Sequence, residues 1–170
     1  MKVSEAIKYK RAVRNFRDEP LSGEVINSIL NAGRRSQSSK NSQPWDFIVI
    51  TDKDRLEALS KLGTYAGHLA GAALAVVIAT PDPGIKASIM FDAGQAAAYM
   101  QLAAWEMGIG SCLATIYQTD QARQLLELPE NRYINLAVSF GYPLDENVLS
   151  SPPEKGGRNP LEDFVHLEKW

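Results

Sequence analysis

The sequence has 170 residues, about the length of one average domain, so we expect a single domain spanning residues 1–170. Hydrophobic residues make up 45% and charged residues 22%, which is typical of globular proteins and excludes disordered, collagen-like and disulfide-scaffold classes. Eighteen basic and twenty acidic residues leave a net charge of -2, so no overall positive field exists to hold nucleic acid. Any anionic ligand is therefore expected to bind a local cluster of cations.

Cysteine content and hydropathy predict the compartment. The single cysteine, Cys112, excludes an intrachain disulfide and fits a reducing environment. The N-terminus carries charges throughout and lacks the apolar stretch of a signal peptide. The longest apolar run, residues 69–79, is too short to span a bilayer. These features predict a cytoplasmic protein with no membrane segment.

Hydrophobic periodicity and capping residues predict helices and strands that alternate irregularly along the chain. Helices are expected at residues 4–9, at 22–33 with Ser22 as the N-cap, at 54–62, at 87–107 and at 120–126. Strands are expected at residues 45–51, 74–79 and 134–140, and residues 111–116 are expected to be a short strand or an extended loop. Three or four strands among five helices favour a three-layer α+β domain over a doubly wound nucleotide-binding fold.

Two segments indicate packing against other surfaces. The helix 87–107 is rich in alanine and glycine, which lets another backbone approach closely, at the centre of the domain or at a subunit interface. The chain after Gly141 is polar and rich in proline and glycine, and it ends in an apolar group that needs a surface to cover. That group consists of Leu161, Phe164, Val165, Leu167 and Trp170. A second chain is one candidate for the surface that these side chains cover.

Four cations lie close together near the N-terminus, at Lys10, Arg11, Arg14 and Arg17. If the first helix continues through them, like charges face one another at i,i+3 and i,i+4, and a bound anion relieves their repulsion. Arginine side chains suit phosphate oxygens in particular. The alternative is a solvated basic face that Asp18 and Glu19 partly neutralise.

A polar loop, residues 34–44, precedes the strand that begins at Trp45. Its hydroxyl and amide groups can form hydrogen bonds to the polar edge of a flat heterocycle. The alternative is an ordinary surface loop whose polar residues form turns. The abrupt entry through Pro44 and Trp45 into a buried strand fixes one end of the loop to the core. This arrangement favours a binding loop.

Several familiar site types are poorly supported by the residues present. The segment Gly108-Ile109-Gly110 fails as a dinucleotide motif because Leu113 replaces the third glycine and a helix precedes it. Two histidines, His68 and His166, and one cysteine cannot build a zinc site. There is no G-x-S-x-G sequence, and Cys112 is interpreted as a small core residue. With no evident acid, base or nucleophile, any catalysis is expected to depend on a cofactor.

Taken in order, four segments resemble the nitroreductase family of FMN-dependent oxidoreductases. The segments are YKRAVRNF near the N-terminus, NSQPWDF at the strand entry, GIGSCLATIY after the long helix and GRNPLEDFVH near the C-terminus. The resemblance covers nearly the whole chain. It implies a three-layer α-β-α fold with a central, mostly antiparallel sheet and a C-terminal arm that reaches the partner subunit of a homodimer.

The resemblance also implies roles for individual residues, each carried over by position. Lys10, Arg11 and Arg14 would bind the FMN phosphate together with Arg158. The flavin ring would be contacted by the opposite subunit through the loop side chains Arg35, Gln37, Ser38 and Ser39. The backbone of Leu113, Ala114 and Thr115 would run along the ring. Two positions depart from the family pattern: Ala12 replaces a phosphate-binding serine, and Gln37 replaces a common proline.

The activity that the resemblance implies is hydride transfer from NADH or NADPH to FMN, and from there to a small acceptor such as a nitroaromatic or a quinone. Reductive dehalogenation or flavin oxidation, and a non-catalytic flavin-binding dimer, remain alternatives. The preference between NADH and NADPH and the physiological acceptor are left open by the sequence.

Overall fold

A four-stranded antiparallel sheet forms the middle layer of this computed structural model, which describes residues 2–151 and 157–170. The strands are β1 (Asp46–Ile50), β2 (Leu74–Thr80), β3 (Gly110–Thr115) and β4 (Tyr133–Gly141), in the order β1-β2-β4-β3. Every residue of β2 is buried, and β2 pairs with β1 on one side and β4 on the other. A continuous apolar run suits such a central strand because both of its faces are covered.

Helices cover both faces of the sheet. They are α1 (Val3–Tyr9), α2 (Gly23–Arg34), α3 (Lys53–Ser60), α4 (Ser88–Glu106) and α5 (Thr119–Leu125). On one face, Ile29 of α2 and Met100 of α4 pack with Phe140 of the sheet. On the other face, Leu56 of α3 and Ala122 of α5 share a core with strand residues. The two cores with the sheet between them confirm the predicted three-layer α+β architecture.

Local signals placed most elements within one or two residues of their observed bounds. Ser22 caps α2 as predicted, since its hydroxyl accepts a hydrogen bond from the Val25 amide at 3.3 Å. Asp52 caps α3 in the same way through the Arg55 amide at 2.9 Å, which starts that helix one residue earlier than expected. Residues 110–115 form a regular strand, which resolves the alternative left open by the sequence.

The sequence left open whether the first helix continues through the four cations, and in the structure it does not. Helix α1 ends at Tyr9, and the backbone of Lys10 turns out of helical geometry at φ -57° and ψ 125°. The following residues run extended beside the sheet and form isolated bridges, Ala12 parallel to Ser111 and Phe16 antiparallel to Pro143. Residues 10–17 thus form long-range hydrogen bonds to the sheet in place of the hydrogen bonds of a continued helix.

The C-terminal segment carries exposed apolar side chains. Trp170 is 99% exposed, and Leu161, Phe164 and Leu167 are also mostly exposed. Its one internal ring contact joins His166 to Trp170, with centroids 4.2 Å apart. Residues 152–156 of the predicted polar arm lie outside the described residues. Of the helices in the described ranges, none combines the length and apolar character that crossing a membrane requires.

Candidate functional site

The extended segment 10–17 is fixed to the edge of the sheet beside the start of β3. The Val13 amide donates to the Ser111 carbonyl at 3.0 Å, and the Arg17 amide donates to the Tyr142 carbonyl at 2.9 Å. Val13 is buried against Trp105 at the C-terminal end of α4. Gly110 permits this approach, since a Cβ on Gly110 would lie 2.7 Å from the Cβ of Val13.

Lys10 and Arg14 lie together near the thiol of Cys112. Burial lowers the pKa of the Lys10 ammonium, and interaction with Cys112 only partly opposes that shift. Burial raises the pKa of the Cys112 thiol, against the attraction of Arg14 and Lys10, so the thiol stays protonated at neutral pH. Within the described ranges no carboxylate forms an ion pair with Lys10 or Arg14. Among the described residues, neither charge therefore has an acidic ion-pair partner, and Lys10 is partly buried whereas Arg14 is exposed.

The other two cations of the predicted cluster are engaged elsewhere. The Arg11 guanidinium donates to the Ser151 carbonyl at 2.7 Å and to the Ser151 hydroxyl at 3.4 Å. Arg17 forms ion pairs with Glu146 at 3.1 Å and with Glu19 at 3.6 Å. Side chains alternate along an extended segment, which directs Lys10 and Arg14 to one side and Arg11 to the other. The structure thus separates Arg11 from the two residues with which the sequence grouped it.

A cavity of about 630 Å³ opens beside Arg14. Asn15 and Phe16 line it from the N-terminal segment, and Tyr65 and His68 line it from the connection between α3 and β2. A second cavity of about 350 Å³, lined by Ala12 and Val13 among others, shares Arg14, Asn15 and Leu144 with the first. The volumes are those of small-molecule sites, and Arg14 lies at the junction of the two cavities.

His68 is a site residue that the sequence reasoning missed. It belongs to the short 3-10 helix Gly67–Leu69, is 9% exposed and has Nδ1 at 2.8 Å from the Ser139 hydroxyl. Burial lowers its pKa, the Leu113 backbone partly opposes this, and the nearby charge of Arg14 lowers it further. The imidazole is therefore neutral at pH 7. Its sequence neighbours carry no motif, and the fold alone brings it close to Arg14, which is more than fifty positions earlier.

Strand β3 presents the predicted ring-binding segment at the edge of the sheet. Leu113 is 48% exposed and Thr115 is also exposed, whereas the side chain of Ala114 is buried in the core. Ala114 can therefore offer a ligand only its backbone. Gly63 lies directly against this strand, since a Cβ there would lie 2.2 Å from the Thr115 carbonyl oxygen. The amide of Tyr117 donates to the Leu62 carbonyl at 2.9 Å and fixes the end of the strand.

The polar loop lies at the other end of α4. The Ser39 amide donates to both carboxylate oxygens of Asp92 at 3.1 and 3.2 Å, close to the N-terminus of that helix. Ser38 accepts a hydrogen bond from the Gln43 amide at 2.9 Å, and Arg35 and Gln37 point outward with exposed or partly exposed side chains. Asp92 and Trp105 are about 20 Å apart along a helix with a 1.5 Å rise per residue. One chain therefore does not bring the loop to Lys10 and Arg14.

For Arg158 the described residues provide only a local contact. It is exposed, and its guanidinium donates to the neighbouring Gly157 carbonyl at 3.3 Å. Of the four residues predicted to bind the FMN phosphate (Lys10, Arg11, Arg14 and Arg158), the described structure of one chain brings only Lys10 and Arg14 together.

The chain resembles known proteins over nearly its whole length. The nitroreductase family model matches residues 7–65 and 60–142. A protein of Archaeoglobus fulgidus, assigned by name as an NADH dehydrogenase/NAD(P)H nitroreductase, is 34% identical over 169 residues, covering 95% of this chain and 94% of that protein. The NADPH-flavin oxidoreductase of Vibrio harveyi is 28% identical over 98% of this chain and 73% of its own length.

Among solved structures, an FMN-dependent nitroreductase from Clostridium difficile R20291 superposes with a TM-score of 0.84. It is 29% identical, and the match covers 98% of this chain and 99% of that one. The sequence resemblance is thus confirmed, and the chain belongs to the nitroreductase family.

Proposed function

We propose that this chain is an FMN-dependent oxidoreductase that takes a hydride from NADH or NADPH and reduces a small acceptor such as a nitroaromatic or a quinone. The names of its relatives support the reaction class, since they include an NADPH-flavin oxidoreductase and an FMN-dependent nitroreductase. The observation that carries the proposal is the pair Lys10 and Arg14: within the described ranges neither forms an ion pair with a carboxylate, and Arg14 lies at the junction of two cavities.

The donor set fits the phosphate of FMN. A phosphate monoester carries nearly two negative charges at neutral pH, which the ammonium of Lys10 and the guanidinium of Arg14 balance. Burial disfavours the charged form of Lys10, so a bound dianion removes a cost that the isolated chain bears. Ala12, between the two, contributes no hydroxyl, and the missing neutral hydrogen bond is worth about 1 kcal/mol. Two charge-assisted contacts outweigh that loss.

The flavin supplies the electron chemistry when it is bound, and the protein binds and orients it. Lys10 and Arg14 hold the phosphate at the start of β3. The strand then offers its exposed edge, where Leu113 and Thr115 point outward and Gly63 fixes the position of the Thr115 backbone. The buried imidazole of His68 and the thiol of Cys112 are neutral at pH 7, so neither adds a charge beside Lys10 and Arg14. No protein nucleophile is needed in this scheme.

The complete site is proposed to require a second copy of the chain. The loop residues Arg35, Gln37, Ser38 and Ser39 lie at the end of α4 opposite to the cation pair. A homodimer in which the loop of one subunit reaches the cavity of the other accounts for this separation. Exposed apolar side chains on and before α4, such as Phe91 and Ile85, and the exposed C-terminal residues support such an interface. Arg158 and the C-terminal arm are proposed to act across it.

The chain is further proposed to work in the cytoplasm, since its one cysteine is free and buried. It needs no nucleic acid or membrane partner for the proposed reaction.

A flavin titration tests the proposal. The purified protein is expected to bind FMN with loss of flavin fluorescence and to bleach on addition of NADH or NADPH under anaerobic conditions. Arg14→Gln is expected to raise the FMN dissociation constant at least tenfold, because it removes a charge-assisted contact worth about 1.5–3 kcal/mol. Arg55→Gln on the exposed surface of α3 is the matched control and is expected to bind normally.

The same titration distinguishes the alternatives. Failure of the wild-type protein to bind FMN contradicts the proposal. Bound FMN that neither nicotinamide reduces indicates a non-catalytic flavin-binding dimer. Reduction by NAD(P)H without turnover of nitroaromatics or quinones indicates another reaction of the same family, such as dehalogenation or flavin oxidation.

A further inference from the structure

A buried histidine stands in the wall of the larger cavity beside Arg14. His68 has Nδ1 at 2.8 Å from the Ser139 hydroxyl, and that hydroxyl donates to the Cys112 carbonyl at 3.3 Å. The other ring nitrogen, Nε2, is buried and has no hydrogen-bond partner among the described residues. Buried polar atoms without a partner are uncommon in folded proteins, and each one calls for a physical explanation.

The hydrogen bonds indicate where this ring carries its proton. The Ser139 hydroxyl has one hydrogen, which it donates to the Cys112 carbonyl, so it accepts the hydrogen of Nδ1 from His68. In the neutral ring Nε2 is then the unprotonated nitrogen. Protonation at Nε2 leaves the bonds from Nδ1 to Ser139 and from Ser139 to Cys112 intact. The ring can therefore gain a proton at Nε2 without breaking either of these two hydrogen bonds.

The groups that face His68 explain why it is neutral before any ligand binds. Arg14 lies on the N-terminal segment, Cys112 and the Leu113 backbone belong to β3, Ser139 belongs to β4, and Tyr65 precedes the short helix. Among the described residues that line the larger cavity there is no carboxylate, and Asp145 lines the adjoining cavity that also contains Arg14. Burial and the charge of Arg14 both lower the pKa of His68. A negative charge placed in the cavity raises the pKa of His68.

We propose that His68 is a positioning residue that takes up one proton at Nε2 when the bound flavin is reduced and releases it when the flavin is reoxidised. The inference rests on the proposed function. A hydride from NAD(P)H brings two electrons and one hydrogen nucleus, so the cavity gains one negative charge. The balancing proton comes from solvent and binds Nε2. On reoxidation the acceptor receives two electrons and two protons. One proton comes from the reduced flavin, and the other comes from Nε2 of His68.

The size of the effect follows from Coulomb's law. A unit charge roughly 10 Å away at an effective dielectric constant of about 20 changes a proton affinity by about tenfold. The pKa of His68 is thus expected to be higher in the reduced enzyme than in the oxidised enzyme. At pH values between the two pKa values of His68, reduction of the holoenzyme takes up one proton more than reduction of the flavin itself requires.

The test is the midpoint potential of bound FMN as a function of pH, measured by spectroelectrochemistry on the holoenzyme. In a two-electron couple each additional proton adds about 30 mV per pH unit to the slope. The wild-type slope is expected to exceed the His68→Gln slope by this amount at pH values between the two pKa values of His68. Arg55→Gln, on the exposed surface of α3 and away from the cavities, is the control and is expected to keep the wild-type slope.

A second measurement needs no variant of His68. Reduction of the wild-type holoenzyme by NADPH in weakly buffered solution with an indicator dye is expected to take up one extra proton within the same pH interval. Ser139→Ala keeps the ring and removes its hydrogen-bond partner, so the interval is expected to move to a different pH. Equal slopes and equal proton uptake in wild type and His68→Gln, both with FMN bound, overturn this inference alone. Failure of the wild type to bind FMN overturns the proposed function and this inference together.

Discussion

Replacing Lys10 with methionine separates the contribution of this residue to cofactor binding from its contribution to stability. Methionine has a similar length and fills a partly buried position without a charge. The loss of a charge-assisted contact of about 1.5–3 kcal/mol is expected to raise the FMN dissociation constant roughly 10- to 150-fold. Lys8→Met, an exposed lysine on α1, is the control and is expected to bind FMN as the wild type does.

The same substitution is expected to leave the apoprotein as stable as the wild type or more so. Burial lowers the pKa of Lys10 in the folded state, so the unfolded chain binds that proton more tightly. The wild-type apoprotein is therefore destabilised at pH 7 and regains stability as the pH rises through the folded-state pKa toward 10.5. Lys10→Met lacks this pH dependence.

Urea denaturation of the apoproteins at pH 7 and pH 10 measures the stability, and fluorescence titration measures the affinity. The reasoning is refuted if Lys10→Met binds FMN with unchanged affinity, or if its apoprotein loses more than about 1 kcal/mol of unfolding free energy relative to Lys8→Met.

Three further substitutions test other parts of the site. Gly63→Ala is expected to lower the unfolding free energy, measured by urea denaturation, by about 1–3 kcal/mol, because it forces a methyl group against the Thr115 carbonyl. Gly23→Ala is the control and is expected to be nearly neutral, because a Cβ at Gly23 meets open space. Arg11→Gln is expected to change FMN affinity less than tenfold, because its guanidinium is bound to the C-terminal segment; a loss as large as that of Arg14→Gln in the same titration contradicts this separation. The unfolding free energy of the wild type is expected to fall as the pH drops from about 6.5 through the lowered pKa of His68. His68→Gln is expected to remove that part of the acid sensitivity. If stability falls with the same slope against pH in both proteins, this expectation is contradicted.

Elements whose residues interact locally were predicted well. Ser22 and its helix, the apolar run of β2 and the small-residue helix α4 are specified by caps and periodicity within each segment. The family and the fold class followed from motifs that spread along the chain. These features depend on sequence neighbours, so a single sequence contains the required information.

The arrangement of the cation pair could not be predicted in the same way. Local charge spacing permitted a helix through Arg14, and only the bonds from residues 10–17 to Ser111 and Tyr142 show that the segment is extended. The alternation that separates Arg11 from Lys10 depends on that geometry. His68 was missed for a related reason, since its partner Ser139 is 71 positions away and the cavity that joins them forms only when the sheet is complete.

The attachment of the N-terminal segment makes amide hydrogen exchange a measure of cofactor occupancy. Two isolated bridges, at Ala12 and Phe16, join the segment to the sheet, so few bonds must break for it to open locally. Ligand bound to Lys10 and Arg14 stabilises only the closed form, by RT ln(1 + [L]/Kd), or about 2.7 kcal/mol at a hundredfold excess over Kd. The Val13 and Arg17 amides are therefore expected to exchange about a hundredfold more slowly in that state, while amides of β2 at the centre of the sheet respond much less.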